Sequence, residues 1–130
     1  MSDTTDNGIA RQFSTGATRG TSDGKLDYEG ALCPFVLELF VQYMHDNNVM
    51  GDGSIRTADN WQKGIPREQY MKSLQRHNHS AWKRLRSEKN ITKEDLAFER
   101  AIKAMNKDLF GVMFNSMGLV HENLRLLGIL

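Results

Sequence analysis

The sequence predicts an all-α protein, a four-helix-bundle-like single domain preceded by a flexible N-terminal arm. Three observations carry this. Apolar residues recur with helical spacing through most of the second half of the chain. Valine and isoleucine are sparse and never alternate with polar residues as a half-buried strand requires. The first twenty-one residues are polar and rich in Ser, Thr, Asp and Gly, a composition that buries little. The division expected is an arm over residues 1–21 and a helical domain over residues 22–130.

Composition sets the outer limits. At 130 residues the chain is one domain's worth, and 39% hydrophobic with 25% charged residues fits a soluble globular class. A net charge of +1 supplies no bulk field for nucleic acid or membrane surfaces, so neither is expected as a partner. The lone Cys33 excludes an intrachain disulfide and agrees with a cytoplasmic setting. Beside Pro34 in an apolar run, it reads as an inert core thiol. No stretch is apolar and long enough to span a bilayer, and no signal-peptide pattern opens the chain.

The end of the arm is less bland. Gly16, Gly20 and Gly24 lie among Arg19 and Lys25, so this stretch is either a linker or an anion-binding wrap of backbone N–H groups and two cations. It lacks the Gly-Lys-Ser/Thr ending of a P-loop.

A first main helix is expected over residues 34–45, opened by Pro34 in the position where proline costs nothing. Its side chains are apolar nearly all round, which predicts a central, buried helix. The exceptions, Glu38, Gln42 and His45, share one face. A carboxylate buried there needs a partner, either an Arg or Lys from another helix or a divalent cation. Residues 45–60 read as a surface loop. Asp52-Gly53-Ser54 lacks the ligand spacing of a calcium-binding loop.

Asn60-Trp61-Gln62-Lys63-Gly64-Ile65-Pro66-Arg67 closes this loop and opens a second helix over residues 66–86. Trp61 either pins the loop to the core or faces a ligand. Tyr70, Leu74, His77, Ala81 and Leu85 form one stripe, which points His77 inward or into a cleft. Lys83, Arg84 and Arg86 fall in the last turn, where the helix dipole favours cations.

Thr92, with an acid three positions on, reads as the N-cap of a third helix whose apolar side includes Leu96, Phe98, Ala101, Ile102 and Met105. Asn106-Lys107-Asp108 reads as a break. A fourth helix then runs to residue 127 on a stripe that includes Leu109, Val112, Met113, Val120 and Leu124. A second stripe, Asp108, Gly111, Asn115, Gly118 and Glu122, places two glycines on one face between polar groups. Helix-interior glycine costs up to ~1 kcal/mol relative to alanine. Something therefore approaches this face closely: a partner helix, a ligand or a metal.

Several of these segments, taken in order, resemble one family. They are Thr15-Gly16-Ala17-Thr18-Arg19, Asp23-Gly24-Lys25-Leu26-Asp27-Tyr28-Glu29-Gly30, Asn60-Trp61-Gln62-Lys63-Gly64, Ser73-Leu74-Gln75-Arg76-His77 with Trp82, and Phe114-Asn115-Ser116-Met117-Gly118 through His121-Glu122. Together they are similar to the phage dATP/dGTP diphosphohydrolases, relatives of the all-α MazG-type nucleotide pyrophosphohydrolases. The resemblance covers roughly residues 15–125. It implies an oligomeric helical protein of the host-cell cytoplasm that cleaves purine deoxynucleoside triphosphates to monophosphate and pyrophosphate, using Mg²⁺ or Mn²⁺.

Carried onto this chain, the resemblance implies Glu38 and Glu122 as catalytic residues, with Glu38, Asp108 and Glu122 as metal ligands. Arg19, Lys25, Lys63 and Arg76 would meet phosphates, Trp61 would stack on the base, and Asn60, His77 and Asn115 would contact the substrate. The Glu-x-x-Glu and Glu-x-x-Asp arrangement usual in MazG-type enzymes is not found cleanly. That motivates an alternative, a non-catalytic phage protein that binds a nucleotide or a host protein on the same fold.

Overall fold

The structure is a computed structural model and describes residues 10–130; the first nine residues, part of the expected arm, lie outside the described residues. The described residues form four helices and one two-stranded sheet, so the all-α expectation holds apart from that small hairpin. The described residues fall into two compact units, 10–37 and 38–130.

In the first unit, strands β1 (Ala10–Gln12) and β2 (Thr18–Gly20) pair antiparallel with Arg11 opposite Arg19. The stretch expected to be unstructured is therefore partly a hairpin. Its turn is closed by Phe13 N–H to Ala17 O at 2.8 Å and Gly16 N–H to Phe13 O at 2.9 Å. Asp27 then caps α1 (Tyr28–Ala31), accepting from Gly30 N–H at 2.8 Å.

Helix α2 (Pro34–Asp46) starts where proline predicts. Its expected central burial is corrected: only Phe40 is buried, while Leu39 and Val41 are 54% and 58% exposed. Two of its aromatic residues anchor it: Phe40 and Tyr43 meet the Phe110 ring at 6.0 and 5.9 Å. Glu38, Gln42 and His45 do share an exposed face, so water solvates the Glu38 carboxylate and no buried partner is required. Cys33, expected in a core, is exposed.

The second unit is built on the antiparallel pair α3 (Arg67–Glu88) and α4 (Phe98–Leu126). Two expectations change here. The helix expected from Thr92 opens only at Phe98, because Asp95 accepts from Thr92 N–H at 2.7 Å and makes a separate turn. Leu96 consequently lies outside the helix and is exposed. Nor do Asn106, Lys107 and Asp108 break the chain. Polar residues cost a helix only tenths of a kcal/mol each, roughly, and neither Pro nor Gly interrupts the run, so α4 passes straight through it.

The second stripe of α4 is where α3 packs. Gly118 receives the Tyr70 ring and Gly111 receives the His77 ring. Between them the Asn115 amide donates to Ser73 Oγ at 3.2 Å and to Gly111 O at 2.7 Å. At the next step Ser80 Oγ donates to Asp108 at 2.6 Å. Each advance of three or four residues along α3 is matched by the same step back along α4. The inward stripe of α3 thus takes in Tyr70, Ser73, His77, Ser80 and Arg84 together with the buried Ala81, as expected, whereas Leu85, also expected inside, is exposed. Among the described residues no helix is long and apolar enough to cross a membrane.

Candidate functional site

The loop after α2 is more ordered than its polarity suggests. Val49 and Ile55 bridge, and Arg56 N–H donates to Asn48 O at 2.8 Å. The Arg56 guanidinium donates to Asn47 O at 2.6 Å, which closes the loop on itself. The chain then forms a 3₁₀ turn, Asn60–Lys63, ended by Gly64 at φ 118, a left-handed backbone that glycine adopts without strain. Arg125 of α4 donates to the Gln62 carbonyl and ties this turn down. Trp61 sits edge-on to His121 at 4.9 Å and to Phe114 at 6.3 Å.

These elements enclose a pocket of about 260 Å³. Tyr43 and Met44 of α2 contribute one wall, with Asn47, Asn48 and Arg56 from the closed loop. Asn60 and Trp61 come from the turn, Ser73 and His77 from α3, and Phe114 and Asn115 from α4. Three aromatic rings, four side-chain amides, one guanidinium and one imidazole therefore face a single small cavity.

Behind His77 lies a polar cluster. Asp108 accepts from Ser80 Oγ at 2.6 Å and from Arg84 Nε at 3.2 Å, and its other oxygen stands 3.5 Å from His77 Nδ1. With the proton on Nδ1, the imidazole is held by Asp108 and its Nε2 is an acceptor. Arg84 also pairs with Glu88 at 3.5 Å. Burial and the Asp108 charge raise the Tyr43 hydroxyl above the usual tyrosine pKa.

Glu122 marks the other end of the helix pair. Its carboxylate lies 3.6 Å from Arg125, yet Oε1 is buried without a hydrogen bond. Burial and Glu122 likewise raise the Tyr70 hydroxyl, with Arg125 opposing.

Of the residues expected at the site, Asn60, Trp61, His77 and Asn115 come together. Lys63 and Arg76 are exposed and do not line this pocket. Arg19 and Lys25 belong to the first unit, Arg19 on β2 and Lys25 in the turn that follows it. The three carboxylates expected as metal ligands, Glu38, Asp108 and Glu122, are not brought together. Asp108 and Glu122 lie nearly four turns apart on one helix, about 21 Å at ~1.5 Å per residue. Glu38 is exposed on α2. Among the described residues no group of three His, Cys, Asp or Glu side chains is arranged to hold a metal ion.

The sequence reading missed Tyr43, Asn47, Asn48 and Arg56. One signal was present: Tyr43 and Asn47 are i, i+4, and so are Ser73 and His77, which places each pair on one helix edge. Compared with known protein families, curated proteins and solved structures, the chain matches none.

Proposed function

We propose that this pocket binds a purine deoxynucleoside triphosphate, and that the protein hydrolyses dATP and dGTP to the monophosphate and pyrophosphate. The observation that supports the reading is the pocket's chemistry: Tyr43, Trp61 and Phe114 beside the amides of Asn47, Asn48, Asn60 and Asn115. Aromatic faces take a purine, and amides donate to and accept from its edge and the sugar. Arg56 supplies a guanidinium for phosphate oxygens. In the reaction a water oxygen bonds to the α-phosphorus and the bond to the bridging oxygen breaks. Pyrophosphate leaves with that electron pair, and His77 Nε2 takes the water's proton.

Mg²⁺ or Mn²⁺ belongs in the assay because the family resemblance implies it; no residue is assigned to hold it. The test is incubation with each of the four deoxynucleoside triphosphates and Mn²⁺, followed by chromatography. Monophosphate and pyrophosphate from dATP or dGTP support the enzyme. A second reading, a non-catalytic nucleotide binder, is favoured by the dispersal of Glu38, Asp108 and Glu122. It predicts nucleotide-dependent thermal stabilisation with no product. Neither product nor stabilisation sinks both readings.

We also infer a homo-oligomer. Leu37 and Val41, four residues apart on one face of α2, both stand exposed, and a second copy covering that face would remove them from water.

A further inference from the structure

The surface of α3 turned away from the pocket carries a second pattern. Lys72, Arg76, His79, Lys83 and Arg86 follow one another at steps of four, three, four and three residues. That spacing places them on one face, roughly 120° round the helix from the inward stripe. All five are exposed. Among the described residues, Lys72, Arg76 and Lys83 make no ion pair with any acid. Glu88 is turned to Arg84, which leaves Glu68, one turn before Lys72, as the acid on this side of α3.

An aromatic platform lies along the same face. Trp82 is 56% exposed, although indole normally gains by burial. The Arg86 guanidinium sits over its ring at 5.3 Å, and the His79 ring meets it edge-on at 6.1 Å. The helix dipole accounts for cations in the last turn of α3. It accounts neither for Lys72 and Arg76, which lie far from that end, nor for an exposed indole held between a guanidinium and an imidazole.

We propose that this face of α3 docks single-stranded nucleic acid. A line of unpaired cations about 21 Å long, at ~1.5 Å of rise per residue, matches consecutive phosphates. Trp82 offers a stacking surface for an unpaired base, and Arg86 adds its planar cation. A base stacked inside a duplex is not open to Trp82, and polyglutamate has no ring to place on it. The small net charge of the whole chain does not oppose this, because acids elsewhere balance a locally cationic face.

The test is fluorescence anisotropy of the full chain with labelled oligothymidylate of about 20 nucleotides, a length that exceeds typical single-strand site sizes. Binding is expected at low salt, with a log–log salt slope of about −3, given roughly −0.7 per neutralised phosphate. Alanine at Lys72, Arg76, Lys83 and Arg86 together abolishes it. Lys83→Glu alone weakens it, which keeps the test usable if the quadruple variant folds poorly. Trp82→Ala weakens binding about tenfold with the salt slope unchanged. The proposal is overturned if wild type does not bind, or if the Lys83 and Trp82 variants bind as tightly as wild type. It is equally overturned if a duplex, polyglutamate or anionic vesicles compete as well per charge as the single strand.

Discussion

Gly111 of α4 lies directly beneath the His77 ring of α3: a Cβ added to Gly111 would stand 2.5 Å from His77 Cγ. The close approach explains why a helix interior tolerates glycine here. It also positions His77, since the ring rests on bare backbone while Asp108 holds its Nδ1 side.

Gly111→Ala therefore sets two effects against each other. Alanine gains up to ~1 kcal/mol of helix propensity. Overpacking against a ring costs about 1–3 kcal/mol. The His77 ring is held by Asp108 and gives way poorly, so net destabilisation of about 1–2 kcal/mol is expected in urea unfolding. Gly118→Ala, which would meet the Tyr70 ring, is expected to behave alike.

Asp108 joins three side chains of α3. Asp108→Ala leaves Ser80 without its acceptor and Arg84 and His77 without their acid. A loss of about 1–3 kcal/mol is expected in the same unfolding assay, the range for stranding half-buried partners. Asp108→Asn keeps an acceptor for Ser80 and is expected to recover part of it. Equal stability of both variants with wild type would contradict the network.

The paired stripes show how far the sequence could be read. The spacing of Asp108, Gly111, Asn115, Gly118 and Glu122 was legible as a face of close approach, because a helix tolerates two glycines on one stripe only for a reason. Which of three neighbours approached was not legible, since Ser73, His77 and Ser80 look like an ordinary polar edge until α4 is laid against them. The site was half legible for the same reason. Trp61 and Asn60 stand out in a short segment. Arg56 and Asn47 acquire meaning only when Val49 and Ile55 bridge and fold the loop back. Helix α2 misled, because apolar composition reports what must leave water and not whether its own chain covers it.

Alkaline pH bears on both pocket and helix pair. Burial raises the pKa values of Tyr43 and Tyr70 above that of an ordinary tyrosine. The folded state thus favours the protonated phenols more than the unfolded state does. This stabilisation is complete below pH 10 and is lost as pH rises through the raised folded values. Unfolding monitored by circular dichroism is expected to steepen above about pH 10, the ordinary tyrosine value. The double change Tyr43→Phe with Tyr70→Phe should flatten that limb. An unchanged alkaline limb would show that neither phenol is desolvated.

The exposed face of α2 predicts assembly. Leu37→Glu with Val41→Lys is expected to shift the protein to monomer in light scattering coupled to size exclusion. Burying one such aliphatic side chain is worth about 1.5–3 kcal/mol, so two changes on each copy weaken the association by several orders of magnitude. A wild type that is already monomeric at high concentration would rule this out.

On the proposed reading the pocket around Trp61 holds a purine nucleotide. Calorimetric titration of dATP and dGTP into wild type and Trp61→Ala tests it most directly, with Arg56→Ala as a second variant that leaves the turn intact. Saturable binding of one nucleotide per chain is expected. The Trp61 change should weaken it at least about tenfold, as loss of base stacking does, and the Arg56 change should weaken triphosphate more than nucleoside. A wild type that binds neither nucleotide, or variants that bind as tightly as wild type, would contradict the assignment of this pocket.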